Sequence, residues 1–504
     1  MSREETLTVA KPIMVQGTTS NAGKSVLCAA LCRIFHQDGL RVAPFKSQNM
    51  ALNSYITDEG LEMGRAQVTQ AQAAGVKPSV RMNPILLKPT TDVGSQVIVN
   101  GVSRGNYPAK EFFRMKQSLI PDILAAYQSL SAENDVIVLE GAGSPAEINL
   151  KQNDIVNMGL AALVDAPVLL VADIDPGGVF ASLYGTVALL EPEERTRIKG
   201  LIINKFRGDV SILEPGLRKI EDLTGVPVVG VVPYMDLDLD DEDSLAQRFQ
   251  QSGEGGAVDV AVIRLPRLSN FTDFNPLARM EEVSLRYVRS AAELGAPDVI
   301  ILPGTKSTIS DLRWLKQNGL AGAICRHAEA GGPVIGICGG YQMLGKKVSD
   351  PTCAESGGAE EGLGLLDLET VFWGEKARTR VTGRVTNASG IFAPLEGESF
   401  RGYEIHMGRT SGQEQPFAQL NNESADGAAR GNIWGSYVHG IFDRGDFAAK
   451  LVNCLLAAKG LQPTARSGDW NAYQEAQLDK LADTVRAALN MDLIYRLIGQ
   501  ETPR

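Results

Sequence analysis

A strand, a glycine-rich loop and a helix stand in immediate succession near the start of this chain, and few folds admit that order. Pro12-Ile13-Met14-Val15-Gln16 is an apolar run of strand length, Gly17-Thr18-Thr19-Ser20-Asn21-Ala22-Gly23-Lys24-Ser25 is the loop, and Val26 to Phe35 reads as helix. In such a loop the backbone N–H groups and the helix N-terminus hold phosphate oxygens, the lysine reaches the terminal phosphates, and the Ser hydroxyl ligates Mg²⁺. The usual pattern leaves four residues between the first glycine and Gly-Lys. Here the glycine comes one residue earlier, at Gly17, so the loop is one residue longer. Gly17, Thr18, Asn21, Ala22, Gly23, Lys24 and Ser25 are therefore assigned to ATP, with Ser25 also on Mg²⁺. A chance Gly-Lys-Ser in a strand–helix turn is the competing reading, and the strand before it and the helix after it weigh against it.

Further strands end at what a βαβ arrangement makes the same sheet edge, where ligands bind. Arg41 to Phe45 leads to Lys46, a second cation for a phosphate. Asp135 to Leu139 leads to Glu140, an acid placed to hold Mg²⁺. Val168 to Ala172 leads to Asp173 and Asp175, either of which can serve Mg²⁺ or cap a helix. Gly200 to Ile203 leads to Asn204, a candidate for the nucleotide base. Strands alternating with helical stretches predict a parallel, doubly wound sheet. The stretch from Ala51 to Asn106 is rich in Asn, Gln, Thr and Gly, groups that recognise a polar substrate without adding charge or that simply build turns.

An acidic run, Asp236 to Asp243, and a Gln/Gly-rich stretch to Gly256 read as an inter-domain connection. The pattern then restarts at Val258. Pro333-Val334-Ile335-Gly336-Ile337-Cys338-Gly339-Gly340-Tyr341 writes a nucleophile elbow: a buried strand, a sharp turn bearing a cysteine, and a helix whose N-terminus favours the thiolate. A buried structural cysteine is the alternative. The backbone N–H of Gly339 and one from the Gly304 loop are the candidate oxyanion donors. Of four histidines, His439 ends an apolar strand in His-Gly and is the preferred base; His406 is its rival, and His36 and His327 read as structural.

The chain of 504 residues carries a net charge of −11 and no long Lys/Arg run, which argues against nucleic acid or an anionic membrane as a partner. Six scattered cysteines without a C-x-x-C pair read as free thiols, no signal peptide or 18-residue apolar run is visible, and a cytoplasmic protein is expected.

Cys338-Gly339-Gly340-Tyr341-Gln342-Met343-Leu344-Gly345 with Tyr437-Val438-His439-Gly440 resembles class I glutamine amidotransferase domains of the cobyrinic/cobyric acid synthase family. The long phosphate loop resembles that of dethiobiotin synthetase-like ATP enzymes. Phe45 to Asn53 and Gly402 to Gly408 extend the likeness to the cobyric type across almost the whole chain. The resemblance implies two doubly wound α/β domains: a P-loop, dethiobiotin synthetase-like domain over 1–245 that binds ATP and corrinoid, a linker over 246–256, and a class I glutaminase-like domain over 257–504 with its active core at about 257–445. It implies ATP- and glutamine-dependent amidation of the b, d, e and g carboxylates of adenosylcobyrinic acid a,c-diamide, with Gln48, Asn49 and Asn53 as substrate contacts. ATP with Mg²⁺ is the expected co-substrate and no tightly bound prosthetic group is expected. Many class I glutaminases carry an acid two residues after the base; Ile441 stands there, a departure shared by the cobyrinic-type subgroup, so the orienting acid is absent or comes from elsewhere, with Glu404 as the guess. Two other readings are an amidotransferase on a different polycarboxylate, such as cobyrinic acid, and a non-enzymatic P-loop partitioning or regulatory ATPase, which would give Cys338 and His439 no role.

Overall fold

The computed structural model describes residues 9–91, 94–239, 255–355, 357–466, 468 and 470–503. Contacts divide the chain into two compact units: Met1–Ala51 with Glu62–Ser244 and Asn471–Arg504, and Leu52–Leu61 with Leu245–Trp470.

The first unit is built on a six-stranded sheet in the order Val228–Pro233, Ile198–Phe206, Val168–Asp173, Lys11–Gly17, Val136–Glu140, Val42–Phe45, every pair parallel. Its central strands read as continuous apolar runs because helices cover both faces, and Val136–Leu139 and Val168–Ala172 are buried without alternation. Helix Lys24–Gln37 follows the first strand directly. The Asn/Gln-rich stretch holds regular structure: Gln48–Met50 runs parallel to Ile85–Thr91, which pairs antiparallel with Gly94–Val99 and that in turn with Val102–Pro108. Helix Arg65–Ala73 lies within the same stretch.

The second unit has its own parallel sheet, ordered Val283–Val288, Val258–Ile263, Val299–Leu302, Val334–Ile337, Ile433–Ser436, with Ala428–Arg430 added antiparallel at the edge. Beside it is a seven-stranded sheet centred on two long antiparallel strands, Leu368–Val385 and Ser399–Gly412, which the α/β pattern alone does not announce.

The units differ from the sequence boundaries at both ends of the second half. Most of the expected linker, 246–254, and the acidic residues 240–243 lie outside the described residues. The segment Asn471–Arg504, read from sequence as part of the second domain, packs on the first unit instead. The cause is an apolar face, Leu478, Leu481, Val485, Ile494, Tyr495 and Ile498, buried in one cluster with Leu27, Leu31 and Phe35 of the loop-following helix. Tyr495 meets Phe35 edge-on at 5.5 Å between ring centres, and Arg33 bonds Asp479 at 2.8 Å and Glu475 at 2.7 Å. No helix among the described residues is long and apolar enough to cross a membrane.

Candidate active sites

In the first unit the glycine-rich loop closes over its own lysine. Lys24 Nζ donates to the carbonyls of Thr19 (2.8 Å), Ser20 (2.9 Å) and Gly143 (3.2 Å), a ring of acceptors around a buried ammonium. Gly23 sits at φ 95°, and a Cβ there would fall on the amide nitrogen of Asn204, so only glycine closes the loop this way. Asn204 donates to the Ala22 carbonyl at 3.0 Å, which puts it on the loop's backbone.

Glu140 is the hub of the buried cluster beneath. Its Oε1 accepts from Ser25 Oγ and Lys46 Nζ, both at 2.8 Å, and its Oε2 from Gln70 at 2.5 Å and Gln67 at 3.4 Å. Burial pushes this carboxyl up, but Lys46 and the donors of Gln70 and Ser25 outweigh it and hold it below the usual carboxylate range. Gln67 and Gln70 were not singled out in the sequence; their three-residue spacing on one helix face is the signal that finds them. Asn49 joins the cluster by donating to Gln67 at 3.0 Å, and the buried Oε1 of Gln48 makes no hydrogen bond. Asn53 lies in the segment grouped with the second unit.

Asp173 stands apart from the Ser25–Glu140 pair. It accepts from Lys205 at 2.8 Å, and Lys205 also donates to the Asn21 carbonyl, tying Asp173 to the rim of the loop. Asp175 is paired with Arg207. Among the described residues no group of three His, Cys, Asp or Glu side chains gathers as a metal cage. Ser25 with Glu140 nevertheless fits Mg²⁺, which takes one or two protein oxygens and fills its shell with phosphate and water.

In the second unit, strand Val334–Ile337 runs parallel to Ile433–Ser436 with Gly336 opposite Gly435 and Ile337 opposite Ser436. Cys338 and the segment Tyr437–His439 therefore leave adjacent strands at one carboxyl edge. Cys338 adopts φ 52°, ψ −109°, a conformation disfavoured for any residue with a Cβ, and donates its N–H to Ser436 at 2.8 Å. This is the sharp strand-to-helix turn read from the sequence. Built Cβ atoms show how closely the surrounding loops approach: one on Gly304 would lie 2.8 Å from the His439 ring, and one on Gly339 3.1 Å from the Thr305 nitrogen.

His439 is buried, and its Nδ1 lies 2.6 Å from Asp273 Oδ2. Burial works to lower the His439 pKa; the Asp273 carboxylate and the Cys338 sulfur outweigh it and hold the ring protonated well above the ordinary imidazole range. Asp273 was missed in the sequence reading. Glu404, the acid guessed there, is elsewhere: it pairs with Val438 across the sheet, and its carboxylate lies 3.7 Å from His406 Nε2. His406 itself stacks on Tyr437 with ring centres 3.6 Å apart. All six cysteines are free.

Comparison with known proteins matches the two halves separately. Residues 13–244 fit the CobQ/CobB/MinD/ParA nucleotide binding domain, and 259–447 the CobB/CobQ-like glutamine amidotransferase domain. Over 98% of both chains it is 56% identical to the cobyric acid synthase of Ruminiclostridium cellulolyticum. It is 54% identical to those of Photorhabdus laumondii, over 96% of this chain and 97% of that one, and Listeria monocytogenes, over 97% of each. The chain belongs to the cobyric acid synthase family. Among solved structures it aligns with PurLQS from Thermotoga maritima at 21% identity and a TM-score of 0.32, over 40% of this chain and 99% of that one. Membership of the cobyric acid synthase family makes the first unit a nucleotide-binding domain and the second a glutamine amidotransferase domain.

Proposed function

We propose that this chain uses ATP and glutamine to amidate the b, d, e and g carboxylates of adenosylcobyrinic acid a,c-diamide, giving adenosylcobyric acid in cobalamin biosynthesis. The observation that carries the proposal is a strained, buried cysteine beside a buried histidine held by a carboxylate, in one unit of a chain whose other unit bears a phosphate loop. Kinship along the full length supports the choice of corrinoid.

In the glutaminase reaction, Cys338 as thiolate attacks the side-chain amide carbon of glutamine. The N–H groups of Gly339 and the Gly304 loop take the developing oxyanion. His439 as imidazolium gives its proton to the departing nitrogen, which leaves as ammonia, and a thioester remains. The neutral imidazole then takes a proton from water as it attacks the thioester, which releases glutamate and restores the thiolate and imidazolium.

In the ligase reaction, a substrate carboxylate attacks the γ-phosphoryl group of ATP and ADP leaves. Ammonia displaces phosphate from the acyl phosphate and forms the amide. Lys24 and Lys46 offset charge on the transferred group, Gly17, Thr18, Asn21, Ala22 and Gly23 are assigned to the phosphates, and Asn204 is assigned to the nucleotide. Mg²⁺, when bound, neutralises phosphate charge, and Ser25 and Glu140 are the residues to hold it, with Asp173 at the rim. Gln48, Asn49 and Asn53 are the proposed corrinoid contacts. The test is mass spectrometry of the corrinoid after incubation with Mg²⁺, ATP and glutamine. Four added amides are expected; intact glutaminase and ATPase activity with no amide added would redirect the proposal to another polycarboxylate.

A further inference from the structure

We infer that Asp273 is the positioning acid of the glutamine-hydrolysing site, standing in space where other class I glutaminases use an acid two residues beyond the histidine. The inference rests on the reading of Cys338 and His439 given above.

Both oxygens of Asp273 are committed to consecutive residues. Oδ2 lies 2.6 Å from His439 Nδ1, and Oδ1 accepts the Gly440 N–H at 3.0 Å. One carboxylate thus fixes the imidazole and the backbone that carries it. An ionised carboxylate only accepts, so Nδ1 carries a proton and Nε2 is left for the Cys338 sulfur. Both partners are almost completely buried, Asp273 at 3% and His439 at 1% exposure, where water does little to screen the pair.

The acid is itself held. It lies on the single turn Phe271–Phe274, flanked by two buried phenylalanines, and its N–H donates to the Asn270 carbonyl at 3.0 Å. Asn270 enters the turn at φ 53° and donates through its side chain to Tyr403 Oη at 3.0 Å. Tyr403 in turn stacks on the His439 ring, 5.6 Å between centres. Turn, tyrosine and histidine close a circuit around the imidazole. Ile441, two residues beyond His439, is fully buried and apolar and supplies nothing polar. Among the described residues no other carboxylate is hydrogen-bonded to His439.

The groups facing His439 are Cys338, Asp273 and Tyr403, so the pH dependence of glutamine hydrolysis reads Asp273 directly. The experiment compares Asp273→Asn, Asp273→Glu and Glu404→Gln in the full-length enzyme, with Cys338→Ser as control. Asp273→Asn is expected to lower glutaminase kcat by about 10²- to 10⁴-fold with little change in KM. It should also move the alkaline limb of the rate profile, and of Cys338 alkylation by iodoacetamide, toward lower pH. Asp273→Glu should restore part of that shift, and Glu404→Gln should leave the profile where it is. An unchanged thermal transition of the second unit, with amidation by ammonia retained, reports that the variants are folded. An Asp273→Asn enzyme with unchanged kcat, or with reduced kcat on an unmoved pH profile, overturns the inference, as does a shift that follows Glu404→Gln. Glutamine use that survives Cys338→Ser would instead overturn the reading of the site itself.

Discussion

Glu140 is a buried anion ion-paired with the buried Lys46 at 2.8 Å, and removing its charge breaks that pair. Breaking such a pair costs on the order of 3–5 kcal/mol. Glu140→Ala should therefore destabilise the first unit by about that amount in chemical denaturation, and Glu140→Gln, which keeps the shape, by less. A Glu140→Gln chain as stable as the parent would mean that packing rather than charge holds the cluster. Asp426 shows the opposite balance. Burial pushes its carboxyl up to about 7 against the donors of Ser436 and Tyr437, from an ordinary value of 3.8. The folded chain then holds this proton over a range where the unfolded chain has lost it, so the group takes away stability as pH rises from 3.8 toward 7. Asp426→Asn should flatten that part of a stability–pH curve for the second unit; an unchanged slope would place the titrating group elsewhere. The sequence made Cys338 and Lys24 legible because each sits in a local pattern of strand, turn and helix. Asp273 was not legible, because it meets His439 across 166 residues and the circuit through Asn270 and Tyr403 forms only in the fold.

At the scale of elements, periodicity identified most of the parallel strands, though not Val283–Val288, and several of them lead into residues assigned to the sites. It did not identify the long antiparallel strands Leu368–Val385 and Ser399–Gly412, the second of which mixes buried and exposed residues along a polar sequence. Nor did it assign helix Trp470–Ala488. An amphipathic stripe says that a helix buries one face, not which surface receives it. The receiving surface is the helix that begins at Lys24, so the far C-terminus supports the phosphate loop from behind. Leu481 is fully buried in that contact. Leu481→Ala should cost about 2–5 kcal/mol, as large-to-small changes in tight cores do. The loss should appear in the unfolding of the nucleotide-binding unit and leave glutamine hydrolysis stable to the same denaturant concentration. A loss confined to glutaminase stability would contradict the packing seen here.

For the whole molecule, the division into two cores separates two chemistries in one chain, and ligand binding can be used to tell their unfolding apart. A ligand that binds only the folded state at 100 times its Kd adds about 2.7 kcal/mol. For a unit of this size each kcal/mol moves the midpoint by about 2–4 °C. A non-hydrolysable ATP analogue with Mg²⁺ should thus raise one thermal transition by roughly 5–11 °C and leave the other in place. Lys24→Ala removes the charge that meets the terminal phosphates, so it should abolish most of that rise without lowering the transition reported by Cys338 alkylation. If both transitions rise together with nucleotide, the two cores unfold as one cooperative body, and occupancy of the phosphate loop then stabilises the glutamine-hydrolysing site through the fold.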